Sequence, residues 1–326
     1  MFSARIPGIQ ADLGLGVGTL GLALLGGGVG TLAVMLPTGT FIARYGSRLV
    51  TLGCALPMAI AFGCLALAND ALTLFGAMIV WGASSAALDV AMNAQGSAIE
   101  QRNGRPIMSS LHGLWSVGSM SGAAIGAVLA GLGVGVRAHF LAAAPLVCMA
   151  LLVAPQRFTS GDARKGAGVQ FAWPRGTLLA LAVVAFCAVA TEGAMFDWAA
   201  VYLRRELAAP EATAALAPSF FSAAMAAGRL GGDQLTARVR AASVARMCAL
   251  VAASGIGAII LAPAPAVVFA GLLGVGLGLS VLVPLAFGAA GRSQDLPTGT
   301  AIAAVATIGY FAFLTGRRRS GWWPSR

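Results

Sequence analysis

The chain has 326 residues, 58% of them hydrophobic and only 10% charged, with a mean hydropathy of +0.85 and a formal net charge of +10. That leaves too little polar surface to clothe a soluble globule of this size, which excludes an ordinary water-soluble enzyme or binding domain. The positive charge is spread over connecting segments and not gathered on one face, so a nucleic-acid partner is not expected.

In chain order, apolar runs fall at 16–42, 49–68, 72–98, 107–132, 138–153, 177–203, 212–235, 242–262, 266–290 and 299–314. Most reach the roughly 20 apolar residues that a helix needs to cross the hydrocarbon core. The reading is an all-α, polytopic helix bundle with about ten transmembrane helices. Arg44 and Arg48 occupy the first gap, Arg102 and Arg105 the third, and Arg157, Arg164, Lys165 and Arg175 the fifth. Arg229, Arg238, Arg240 and Arg246 flank the seventh gap, and Arg292 lies in the ninth. The intervening gaps carry only Arg137, Arg204 and Arg205. Basic loops are retained in the cytoplasm, so alternate gaps face inward and the chain zigzags through a lipid bilayer.

Residues 155–176 form the longest polar stretch and read as a cytoplasmic linker. It separates an N-terminal half of five spans (1–154) from a C-terminal half of five spans (177–316). A faint repeat relates them: Ala43-Arg44 follows the first span and Ala237-Arg238 the seventh. Related halves around a loose central loop are the sequence mark of a secondary transporter. Glycines spaced by four (Gly26 and Gly30; Gly118, Gly122 and Gly126; Gly274 and Gly278) predict faces where helix backbones approach closely. The five cysteines sit inside apolar runs without metal-ligand spacing and read as packing residues, so no metal and no cofactor is expected. There is no HExxH, no cysteine–histidine pair nearby in sequence and no Walker A motif, which argues against an enzyme and against direct use of ATP.

Ionisable groups inside spans are costly and default to functional roles. Glu192 lies near the middle of the sixth run. It is a candidate for proton coupling or substrate hydrogen bonding, with a helix-pairing role left open beside these. Asp197, five residues further toward the outer face and next to Trp198, is a weaker candidate of the same kind, better suited to an outer gate. Asp89, Asn93 and Glu100 share one side of the third run. Asn93 and Gln95 point to different sides, so at most one of them faces a cavity. His112, Trp115 and Ser116 open the fourth run on one face near the inner surface. His112 suits a proton relay, because imidazole titrates near neutrality, or else a cap or gate partner of Asp89 or Glu100. Trp115 suits stacking on a sugar-like ligand or anchoring at the interface. His139 reads as interfacial.

The stretch GTFIARYGSR (39–48) resembles the loop motif that joins the second and third helices of the major facilitator superfamily, with Ala43 where that motif usually carries an acid. LDVAMNAQGSAIEQRNGRPIMSSLHGLWSVGSMSGAAIGA (88–127) resembles that superfamily's YbjJ/MosC-like bacterial subgroup. TEGAMFDWAAVYL (191–203) and GRLGGDQL (228–235) are similar to its second half. The resemblance implies twelve helices in two sets of six. The first run here aligns with the second of these, and Arg5-Ile6-Pro7 resembles the outer loop before it. The expectation is therefore a chain truncated at both ends, lacking the first and last helices, with 317–326 an out-of-frame or disordered tail. The resemblance also puts Glu192 on a cavity-lining helix. It implies a gating set of Gly39, Arg44, Gly46, Arg48 and Asp89, with Asp89 pairing Arg44 or Arg48, and adds Arg229 and Asp233 from the second half. The function it implies is secondary active transport of a small polar solute by alternating access, linked to protons, by a monomer in the bacterial inner membrane. A sugar or cyclitol derivative is the expected solute. The alternatives are a drug or metabolite efflux carrier, or an inactive transporter fragment.

Overall fold

The computed structural model describes residues 2, 5–158, 173–209, 213, 216–294 and 296–316. The expected linker at 155–176 lies mostly, and the tail at 317–326 wholly, outside these. Among the described residues the chain is α-helical, with a 3₁₀ turn at Ala154–Arg157, 3₁₀ conformation also at Arg5, and no strand. The helices are α1 (Ile6–Asp12), α2 (Val17–Tyr45), α3 (Ser47–Leu67), α4 (Ala71–Asn103), α5 (Met108–Gly131), α6 (Val136–Val153), α7 (Thr177–Arg205), α8 (Ala217–Arg238), α9 (Ala241–Ile260), α10 (Pro265–Leu279), α11 (Leu282–Gly291) and α12 (Thr298–Gly316).

Each of the ten apolar runs carries helix. Eight helical stretches among the described residues are long and apolar enough to cross a membrane, the joined Pro265–Gly291 segment counting as one. The α8 helix, which carries Arg229 and Asp233, is not among these eight, and the Thr298–Ala312 part of α12 is shorter. Two departures from the sequence reading have local causes. Residues before the first run form the short helix α1, where the sequence reading has a loop; Pro7 at the helix start gives up only an N–H that has no partner there. The ninth run splits into α10 and α11, because Pro284 has no N–H to bond the carbonyl of Ser280. The Ser280 hydroxyl bonds the Leu277 carbonyl at the same break, at 2.6 Å.

Large side chains point outward as freely as inward. Leu72 is 78% exposed, Leu250 69% and Leu261 82%. Such a surface suits lipid, in which apolar side chains cost nothing and backbone groups must bond within each helix.

The chain divides into two compact units: residues 1–99, 117–173 and 293–307, and residues 100–116, 174–292 and 308–326. In the first, α3 packs on α6 and α2 on α3. Phe62 and Phe140 meet edge to face, their centroids 5.8 Å apart, at the centre of its core. A side chain at Gly30 would collide with the carbonyl of Ile79, and one at Gly82 with that of Gly27. The α2 and α4 backbones therefore touch, as the Gly26/Gly30 spacing predicts. Gly278 likewise lies against the backbone of Cys248 and Ala252, whereas a side-chain atom at Gly118 would meet nothing within 4 Å among the described residues. His139 is buried near the start of α6. It is 3% exposed, with its ring stacked obliquely on Phe140 at 5.5 Å. In the second unit α9 packs on α10, α10 on α8, and α7 on α11 and α8.

Residues from the third, seventh and ninth gaps, with Arg105 and Arg292 among them, meet around one cavity of about 400 Å³ in the second unit. In the first unit, residues of α1 and of the second and fourth gaps, Asn69 and Arg137 included, line another. Each of these two cavities is lined by gaps of one parity.

Candidate functional site

The sixth run becomes α7, and Glu192 on it is partly buried and faces α8. Its carboxylate lies 3.6 Å from the Nη2 of Arg229. Arg229 is itself buried, and its Nη1 donates to the Ser116 hydroxyl at 2.7 Å. Ser116 donates in turn to the His112 carbonyl at 2.9 Å. The His112 ring is buried, 6.0 Å from Phe287 of α11. A carboxylate, a guanidinium, a hydroxyl and an imidazole are thus gathered from α7, α8 and α5 in an otherwise apolar interior. Charges so placed are stable only while paired, and removing one partner costs roughly 3–5 kcal/mol. The Arg229 Nε is buried without a partner, which leaves one donor of the fork unspent.

A second polar cluster sits at the start of α5. The first four N–H groups of a helix have no partner within it. Here the Glu100 carboxylate accepts from Ile107 and Met108 at 2.8 and 2.9 Å, and Asp233 accepts from Ser109 and Ser110 at 2.9 and 2.7 Å. Two negative groups clasp the positive end of the helix dipole, the favourable sign. Arg292 pairs with Glu100 at 3.2 Å and caps the arrangement.

Other predicted residues fall elsewhere. Asn93 is fully buried on α4 and donates to the Asp89 carbonyl at 2.9 Å and its carboxylate at 3.3 Å. Gln95 accepts from Ser47 at 2.7 Å, so both amides are buried and each serves a different neighbour. Arg44 is exposed and lies over the Tyr45 ring, 5.3 Å from its centroid. Gly46 ends α2 and begins α3 with φ of +82°, a conformation that favours glycine. Gly39 lets α2 approach α12, where a side-chain atom would come within 2.7 Å of Ala303. Trp115 does not share the His112 face. It is 59% exposed, because at about 100° per residue it falls off the buried stripe of His112, Gly113 and Ser116. The side chain of Asp197 lies outside the described residues. What the sequence reading missed is that Arg229 is the partner of Glu192. The signal was present: an arginine inside a run of small residues, in a chain with very few buried charges.

The family model of the Major Facilitator Superfamily matches residues 1–316. The chain belongs to the major facilitator superfamily. It is 33% identical over 311 residues to an uncharacterized MFS-type transporter of Yersinia pestis, covering 95% of this chain and 81% of that protein. The identity is again 33% to the uncharacterized transporter y4wD of Sinorhizobium fredii, over 97% of this chain and 84% of the other. It is 27% to the membrane protein MosC of Rhizobium meliloti, over 97% and 77%. Among solved structures, the fold is shared with the outward conformation of the transporter FucP at a TM-score of 0.77 and 15% identity, covering 98% of this chain and 87% of that one. The human organic anion transporter MFSD10 gives 0.66 and 17%, covering 97% and 82%. The chain is a multi-pass membrane transporter of this superfamily, with the all-α bundle that its sequence predicts.

Proposed function

We propose that the chain is a proton-linked secondary transporter of a small polar solute, working by alternating access in the bacterial inner membrane. One observation carries this reading: a carboxylate–guanidinium pair, Glu192 with Arg229, set among membrane helices and tied to Ser116. Protonation of Glu192 cancels its charge and frees Arg229 to bind a polar group of the solute. Loss of the proton restores the pair and expels that group. Each state keeps the arginine satisfied, so neither leaves a bare charge in a dry interior. The two clasps at the start of α5 supply a gate on the side of the basic gaps: the ends of α4 and α8 hold α5 until the carboxylates let go. Alternating access would use two halves, 1–154 and 177–316, joined by 155–176. Resemblance to the MosC-like subgroup points to a sugar or cyclitol derivative as solute.

The test is counterflow and pH-driven uptake of labelled sugars and cyclitols in proteoliposomes. Glu192→Gln should retain solute exchange while uptake driven by a pH gradient falls to background. Uptake by that variant with unchanged pH dependence would remove Glu192 from the coupling role.

A further inference from the structure

Apart from the Glu192–Arg229 pair and the clasps on α5, the first unit holds a cavity of its own, beside the Arg44 and Arg48 that the sequence reading assigns to a gating set. It is a groove of about 480 Å³ between α2 and α3, floored by Ala83, Ser84 and Ala87 of α4. From Val34 to Tyr45 it follows roughly 16 Å of helix, about half the thickness of the hydrocarbon core. Its rim is open: Phe41 is 53% exposed and Leu49 57%. The aliphatic hydroxyls along it are spent on their own helices, Thr38 on the Val34 carbonyl at 2.7 Å and Ser84 on that of Val80 at 2.8 Å, and Tyr45 lines one end. No acidic side chain lines it. Away from the Tyr45 end, the described walls offer a polar solute no charged group.

One end differs. Tyr45 and Leu49, which line it, stand next to Arg44 and Arg48 in sequence. Arg44 lies over the Tyr45 ring. The Nε of Arg48 is buried without a hydrogen-bond partner. The buried Ala43 fills the place where the family motif carries an acid, so no carboxylate from that position neutralises these cations. The α3 helix begins at the same end without a side-chain cap, which puts the positive end of its dipole there.

We propose that this groove binds an anionic phospholipid of the cytoplasmic leaflet, one acyl chain lying along α2 and the headgroup phosphate held by Arg44 and Arg48. The charge of the leaflet matches that of the arginines, and the dry groove matches the chain. The proposal rests on the membrane placement of α2 and α3 and not on the solute or the proton.

The test is native mass spectrometry of the full chain released from detergent, with phosphatidylglycerol and phosphatidylcholine of equal chain length in competition. The wild-type chain should retain phosphatidylglycerol over phosphatidylcholine by at least roughly 5-fold, the preference expected of one juxtamembrane arginine. Arg44→Gln with Arg48→Gln should abolish the preference, and Arg44→Lys with Arg48→Lys should keep most of it. Gly53→Phe, which fills the groove where an added side chain meets nothing, should reduce retention of both lipids. Equal retention of the two lipids by the wild-type chain, or a preference untouched by the glutamine pair, overturns the proposal. Displacement of phosphatidylglycerol by millimolar glycerol phosphate overturns it too, assigning the arginines to a soluble anion. The wild-type comparison needs no variant to fold.

Discussion

Arg229 is held by two different partners, an ion-pairing carboxylate 3.6 Å away and a hydroxyl at 2.7 Å. A residue of another kind, Asp70, shows what a charge does outside the membrane. It precedes α4 and its carboxylate accepts the Thr73 N–H at 2.8 Å and the Thr73 hydroxyl at 2.8 Å. These bonds from the Thr73 backbone and side chain hold its carboxyl below the ordinary aspartate range. A carboxylate whose pKa is lowered on folding stabilises the fold above its unfolded pKa, and that gain is lost as pH falls through the folded value. The melting temperature of Asp70→Ala in detergent should therefore lie below that of the wild type by a constant margin above about pH 5, and the margin should shrink below about pH 4. A margin that persists unchanged into acid would mean that the carboxylate is not the stabilising group.

At the scale of the elements, α5 depends on acids that belong to its neighbours. Removing one clasp, as in Asp233→Ala, leaves the Ser109 and Ser110 N–H groups unpaired and should cost about 0.5–2 kcal/mol, the usual range for a lost helix cap. The lowered melting temperature of the purified variant, with the Glu100 clasp still in place, checks this. Contact between α2 and α4 is stricter, because backbone meets backbone. Gly30→Val should abolish the monodisperse peak in size-exclusion chromatography, since the new side chain has to displace the Ile79 carbonyl. Gly118→Val, at a position with open space around it, should leave that peak unchanged. If both variants behave alike, the close approach of α2 to α4 is wrong.

For the whole molecule, the decisive property is the alternation of its basic gaps across the bilayer. In a cysteine-free background, a membrane-impermeant thiol reagent should modify Arg102→Cys only from the cytoplasmic side and Arg205→Cys only from the other. Labelling of both from one side would break the zigzag and with it the transporter topology. The chain spans 81% and 84% of the length of its 33%-identical relatives, so this order of inward and outward gaps bears on nearly all of the shared bundle.

Spans, class and family were legible in the residues, because hydrophobic length and arginine placement are set by the bilayer, which acts on each segment separately. Glu192 was legible for the same reason, as an acid has no business in an apolar run without a task. Its partner was not. Whether Arg229 turns toward α7, toward solvent or toward α5 depends on the rotation of three helices about their axes, and no single segment fixes that. The shared grip of Glu100 and Asp233 on α5, the outward turn of Trp115 and the groove beside Arg44 and Arg48 have the same origin. They arise where helices distant in sequence pack together, and packing geometry alone decided them.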